Sequence, residues 1–180
     1  MKKVLIIIAI IMIPFIINKN KNKDIIKIPN DSIRVRVIAN SNSMKDQLEK
    51  EQVKENLQIY LEELLKDKKT KNDTENSIKN NLSNIRNNIE ATLKKLNSNT
   101  KVYINYGNNY FPKKEFKGVL YQEGYYESLV ITLGKGNGNN WWCVLFPPLC
   151  LMQEDTTMNE LEYKLYIEEI ISKYKWWYIE

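Results

Sequence analysis

Seventeen of the chain's 19 aromatic residues lie between Tyr103 and Tyr178, and only Phe15 and Tyr60 precede them. This division sorts the chain into two kinds of structure. Aromatic and β-branched side chains suit the half-buried surface of a sheet. The aromatic-poor first half instead carries apolar residues at helical spacing. Helices cluster early and strands late. That order favours an α+β fold: a two-layer single domain with a mainly antiparallel sheet packed by two helices, in the order β-α-α-β-β-β.

The local signals fill in this order. Ile33 to Ala39 alternates, with Ile33, Val35, Val37 and Ala39 on one strand face and Arg34, Arg36 and Ile38 on the other. Asn40-Ser41-Asn42-Ser43 are turn and cap formers, and Ser43 is a candidate N-cap with Asp46 three residues on. The helix that follows runs to about Lys66 on a stripe of Leu48, Val53, Leu57, Tyr60, Leu61, Leu64 and Leu65. After a charged connection from Lys66 to Asp73, Thr74 is expected to cap a second helix. Its stripe is Ile78, Leu82, Ile85, Ile89, Leu93 and Leu96. Strands are expected over residues 101–106, 118–121 and 125–133. A mobile glycine loop, 134–140, then leads into the apolar run WWCVLFPPLC. A last helix, near residues 159–172, is amphipathic through Leu161, Leu165, Ile167 and Ile171.

Charge separates the N-terminus from the rest. Residues 1–30 carry six lysines and one acid, Asp24, and so hold the whole net charge of +5. Residues 31–180 hold 21 basic and 21 acidic side chains, which argues against a nucleic-acid partner. Lys2 and Lys3 precede an uncharged run from Val4 to Ile17. At 14 residues this run is short of the ~20 that cross a bilayer and matches the apolar core of an export signal. Residues 1–17 therefore read as a signal peptide or membrane anchor, the membrane contact of an exported chain. Residues 18–32 read as a polar linker, 33–152 as the α+β domain and 153–180 as a C-terminal helical extension.

The chain has no histidine, which removes histidine-based triads, zinc sites and acid–base chemistry. Two cysteines cannot build a four-thiolate metal site. No catalytic residue, metal site or cofactor is assigned. The GKGNG loop lacks the following helix that a phosphate cradle needs. Cys143 and Cys150 are a candidate disulfide if Pro147-Pro148 turns the chain, and two reduced buried thiols if it runs straight. Trp141 and Trp142 are adjacent, so on a strand they face opposite sides: either both are core residues, or one faces the core and its neighbour is free for a partner. Arg34 and Arg36 share a face that either meets acids on a partner or lies on a solvated edge. Together with Phe146, Pro147 and Pro148 they are partner-binding candidates.

IRVRVIANSNS before a long amphipathic helix, and GNNWWCVLFPPLC after a glycine loop, resemble the stage II sporulation protein R family of endospore-forming bacteria. The resemblance covers roughly residues 32–152, and FPKKEF (Phe111 to Phe116) is a looser match. The family commonly carries Asp where this chain has Asn42, a departure that removes a charge from the helix N-terminus. The motifs add Asn40, Ser41, Asn42 and Ser43 to the partner-binding candidates. The resemblance implies a signal and not an enzyme. Such a protein is made in the forespore and exported to the intermembrane space, secreted or N-terminally anchored. There it triggers a membrane-embedded aspartic protease of the mother cell, which processes the sigma-E precursor. A cell-wall (peptidoglycan) binding module and a carboxylate-based wall hydrolase are the two other classes the residues allow.

The export reading makes a direct prediction. Deleting residues 1–17 is expected to leave a folded protein, with unchanged melting, that is retained in the cytoplasm and does not signal. Cell fractionation checks this, and export of the truncated chain would overturn it.

Overall fold

The alternating segment after Pro29 is a strand with neighbours on both sides, and the rest of the fold is arranged around it. A computed structural model describes residues 26–149 and 158–175. The expected signal or anchor, residues 1–17, lies outside the described residues, as does Cys150. The elements are β1 (Ile26–Lys27), β2 (Ile33–Ile38), α1 (Met44–Leu65), α2 (Lys71–Asn80), α3 (Leu82–Lys95), β3 (Val102–Phe111), β4 (Lys114–Phe116), β5 (Val119–Tyr121), β6 (Gly124–Leu133), β7 (Asn140–Phe146) and α4 (Glu160–Lys175). The larger sheet has the order β3-β6-β2-β7 and the smaller one β1-β5-β4. β2 runs parallel to β6 and antiparallel to β7, while β3 is antiparallel to β6. The α+β class with a mainly antiparallel main sheet is as expected.

The two faces of β2 meet different surroundings. Ile33, Val35 and Val37 face the helices and pack with Val53, Leu57 and Leu61 of α1, Ile78 of α2, Ile85 and Ile89 of α3, and Leu129 and Ile131 of β6. All of these are fully buried. Burying one such side chain contributes about 1.5–3 kcal/mol, so this cluster is the main source of stability. The opposite face is covered at one end by the smaller sheet and α4. A second cluster there joins Ile28, Val119, Val144, Leu149, Tyr163, Ile167 and Ile170.

Four local expectations need correction. The second helix is two helices. Thr70, not Thr74, caps α2, its side chain accepting from the Asp73 amide at 3.1 Å. Thr74 is instead buried and donates its hydroxyl to Thr70 O at 2.9 Å. The helix breaks at Asn81, which leaves the α region (φ −113°, ψ 13°) as its side-chain amide bonds Ser77 O at 2.8 Å. Leu48 does not belong to the stripe of α1 and is 57% exposed. Five residues from Val53 it sits about 140° round the helix, off the face that Val53, Leu57, Leu61 and Leu65 share. α4 buries Tyr163, Ile167 and Ile170, and leaves Leu161 and Leu165 exposed. Finally, the stretch read as a linker is structured over its last part. Ile26 and Lys27 pair with Val119 and Leu120, and Ile28 is fully buried.

Two substitutions on α1 separate its faces. Leu61→Asp places an unpaired charge in the main core and is expected to cost more than about 4 kcal/mol, leaving an unfolded chain. Leu48→Asp, on the exposed side, is expected to change stability by no more than about 0.5 kcal/mol. Thermal melts followed by circular dichroism decide both.

Candidate functional site

Beyond Ile38 the chain leaves the sheet through Asn40-Ser41-Asn42-Ser43 and enters α1. The glycine loop between β6 and β7 lies directly against this turn. The backbone carbonyls of Ala39 and Asn40 accept from the amides of Gly138 (2.9 Å) and Asn137 (3.1 Å). The side-chain oxygens of Asn40 and Asn42 accept from the amides of Lys135 (2.9 Å) and Asn139 (2.7 Å). The loop is therefore clamped along its length, which corrects the expectation of a mobile hairpin loop. Close approach explains its glycines. A Cβ on Gly138 would lie 2.3 Å from the Ser41 carbonyl oxygen. One on Gly134, at φ +58°, would lie 2.2 Å from Asn40 Oδ1.

Asp46, in the first turn of α1, holds the other side of the turn. Its Oδ2 accepts from Ser41 Oγ at 2.5 Å and from Asn40 Nδ2 at 2.9 Å. Its own amide donates to Ser43 Oγ at 3.2 Å, so Ser43 is the N-cap that the sequence indicates. Donation from Ser41, and then from Asn40, holds the Asp46 carboxyl below its ordinary value. A carboxylate so committed stays ionised at neutral pH and is no general acid. The junction positions two chain segments.

A second constellation lies on the sheet face away from the helices. In register, Arg34 pairs with Val144 and Arg36 with Trp142. Neither arginine is on an edge, because β2 lies between β6 and β7. Arg34 is only 2% exposed, its guanidinium 3.4 Å from the Tyr126 ring centroid and 5.5 Å from that of Phe111. It donates to Gln122 O at 3.3 Å and Ser32 Oγ at 3.4 Å. Arg36 is half-buried, 5.2 Å from the Phe111 centroid. Burial pushes both guanidinium groups below their ordinary value. The solvated-edge reading of this pair is thus corrected. The two side chains form a cationic layer between aromatic rings.

This layer borders a cavity of about 180 Å³ where the two sheets meet α4. Arg34, Phe111, Lys114, Phe116, Tyr121, Trp141, Trp142, Cys143, Val144 and Tyr163 line it. The adjacent tryptophans alternate along β7, and both border the cavity. Trp141 packs against the main core. Trp142 meets Phe111 edge-on at 5.6 Å, with Lys114 Nζ 5.6 Å from its ring. Phe146 is a core residue, 2% exposed and edge-on to Tyr174 at 5.3 Å. Pro147 is buried and Pro148 half-buried in the turn that follows, where the Leu149 amide bonds Val144 O at 3.2 Å. Cys143 is disulfide-bonded.

The structure thus brings Asn40, Ser41, Asn42 and Ser43 beside the loop that leads into Trp141, and sets Arg34, Arg36 and Trp142 on one face. It withdraws Phe146 and Pro147 into the interior. Sequence reasoning missed the cavity residues Phe111, Lys114, Phe116, Tyr121 and Tyr163, and Tyr126 beneath Arg34. Their types suggest strands and a helix, but nothing local says that a residue of α4 meets β5, as in the 2.9 Å Tyr121–Tyr163 hydroxyl contact.

The family model for stage II sporulation protein R matches residues 29–156, a span that holds the clamped junction, the arginine layer and β7. The chain belongs to the stage II sporulation protein R family. The protein of that name from Bacillus subtilis (strain 168) is 31% identical, over 86% of this chain and 73% of its own length. No solved structure matches the chain. The family span ends before α4, so one wall of the cavity comes from outside it.

Asp46→Asn tests the junction. At neutral pH the variant loses a charged acceptor and a favourable charge at the N-terminus of α1, an expected cost of about 1 kcal/mol. The folded carboxyl titrates below the unfolded one. The contribution is therefore present above about pH 4 and lost as pH falls through the folded value. The melting difference between wild type and variant should narrow from pH 7 to pH 3. A difference that stays constant would show that the charge of Asp46 contributes nothing.

Proposed function

We propose that this chain is an exported sporulation signal that activates a membrane-embedded aspartic protease of the mother cell, which then processes the sigma-E precursor. The signal itself is not an enzyme. It is made in the forespore and acts in the intermembrane space. Membership of the stage II sporulation protein R family over residues 29–156 carries the reading. Two further observations support it. Lys2, Lys3 and the uncharged run to Ile17 suit export. The carboxylate at the motif junction, Asp46, is held in structural hydrogen bonds, which disfavours a wall hydrolase built on it.

Co-expression in vegetative cells tests the reading. With the protease and the precursor present, production of the full chain is expected to switch on precursor cleavage. Absence of cleavage while the chain is exported and folded would overturn it. So would turnover of purified peptidoglycan by the protein alone.

The two tryptophans refine this test. Trp141→Ala is expected to lose about 3–5 kcal/mol of stability, with activation falling in proportion. Trp142→Ala is expected to stay folded at the assay temperature yet lose about 2 kcal/mol or more of partner binding, roughly 30-fold in affinity. Melting temperature and activation, measured on both variants, separate the two roles. Equal loss of stability in both would remove Trp142 from the contact.

A further inference from the structure

Arg34 sits in an interior strand of the main sheet at 2% exposure. A buried charge is normally matched by an opposite one, because leaving it unpaired costs several kcal/mol. Here, among the described residues, no carboxylate forms an ion pair with it, and its neighbours are the rings of Tyr126 and Phe111, Ser32 Oγ and the Gln122 carbonyl. Its Nε and Nη1 have acceptors, at 3.4 and 3.3 Å. Its Nη2 is buried and has no hydrogen-bond partner among the described residues. The Tyr126 ring at 3.4 Å offsets part of the desolvation as a cation–π contact, but a ring face does not satisfy an N–H fork.

The same arginine lines the cavity, and a second cation, Lys114, stands over Trp142 in its wall. The remaining walls are mainly aromatic and aliphatic: Phe111, Phe116, Tyr121 and Val144 among them. A volume of about 180 Å³ equals about six waters of liquid, or one side-chain-sized group. A site with a guanidinium at its base, an ammonium in its wall and apolar sides has a defined complement. We propose that this cavity is a binding site for a carboxylate carried beside an aromatic or aliphatic group, as an acidic residue or a chain terminus in a peptide presents it. The carboxylate pairs with Arg34 and Lys114, and the apolar neighbour lies against Phe111 and Trp142. The site is independent of the protease reading above, since it is defined by the ligand's chemistry.

Titrations of the isotope-labelled protein, read by NMR at the Trp142 indole, test the proposal. Phenylacetate and its neutral isostere phenylacetamide are the first pair of probes. The acid is expected to bind at least about tenfold more tightly than the amide, the increment of a charge-assisted pair. N-acetylphenylalanine and N-acetyl-Glu-Phe-amide then separate a terminal from a side-chain carboxylate. Lys114→Gln, at an exposed position, keeps the fold and should reduce the acid's preference to about threefold or less. Arg34→Met should abolish the preference while leaving melting unchanged or raised, as replacement of an unpaired buried charge allows. Equal binding of acid and amide, no shift at Trp142 up to roughly 10 mM probe, or a preference unaltered in both variants would each overturn the proposal. If Arg34→Met fails to fold, the wild-type pair and Lys114→Gln still decide it.

Discussion

A strand buried on both faces sets the terms for the rest of this molecule. β2 is hydrogen-bonded on both edges, by β6 and β7, and covered by the helices on one side and, at its Arg34 end, by the smaller sheet and α4 on the other. Such strands usually read as continuous apolar runs. This one alternates. Ile33, Val35 and Val37 face the helices, and Arg34 and Arg36 face the aromatic residues of β3, β6 and β7. One face is a conventional core. The other is a charged layer that has to be accommodated by rings. A one-residue slip of register would exchange the two and put guanidinium groups against Leu57 and Ile85, so the alternation fixes the pairing as firmly as it fixes the faces.

The same strand ends in the clamp that joins the two motifs. The turn after Ile38 must accept four loop amides, two through backbone carbonyls and two through asparagine side chains. Asn suits this task because its side-chain oxygen mimics a peptide carbonyl while its amide donates elsewhere, as Asn40 does to Asp46. The loop in turn approaches so closely that Gly134 and Gly138 leave no room for a side chain. The clamp thereby sets where β7 begins and which way its two tryptophans face.

Much of this was legible in the sequence wherever the cause is local. The strand faces of residues 33–38, the N-cap at Ser43, the extent of α1 and the alternating tryptophans follow from period and cap chemistry. Leu48, Leu161 and Leu165 mislead because an apolar residue near a stripe looks like part of it, and only the phase of the packed helix excludes it. The short β1 strand at Ile26–Lys27 was hidden in a Lys/Asn-rich stretch, since two residues of pairing leave no periodic trace. Arg34 is the clearest failure, for a physical reason. A guanidinium in an alternating strand reads as solvent-facing, and only the distant Tyr126 and Phe111 make it buried. The loop was read as mobile because glycine signals both freedom and close approach, and sequence alone does not separate them.

Exposure along the arginine side of β2 changes in one direction. Arg34 is buried against the cavity, and Arg36 and Ile38 are half-buried towards the clamp, as is Asn40. Six residues of strand separate Arg34 from Asn40, about 20 Å at strand rise. On the helix face, α1, α2 and α3 cover β2 with fully buried aliphatic side chains. A substitution on the helix face acts on everything at once, through the core. One on the arginine face acts on the cavity and its aromatic walls while the core stays intact. The cost of a buried guanidinium is tolerable here because the opposite face of the same residues carries enough apolar burial to offset it.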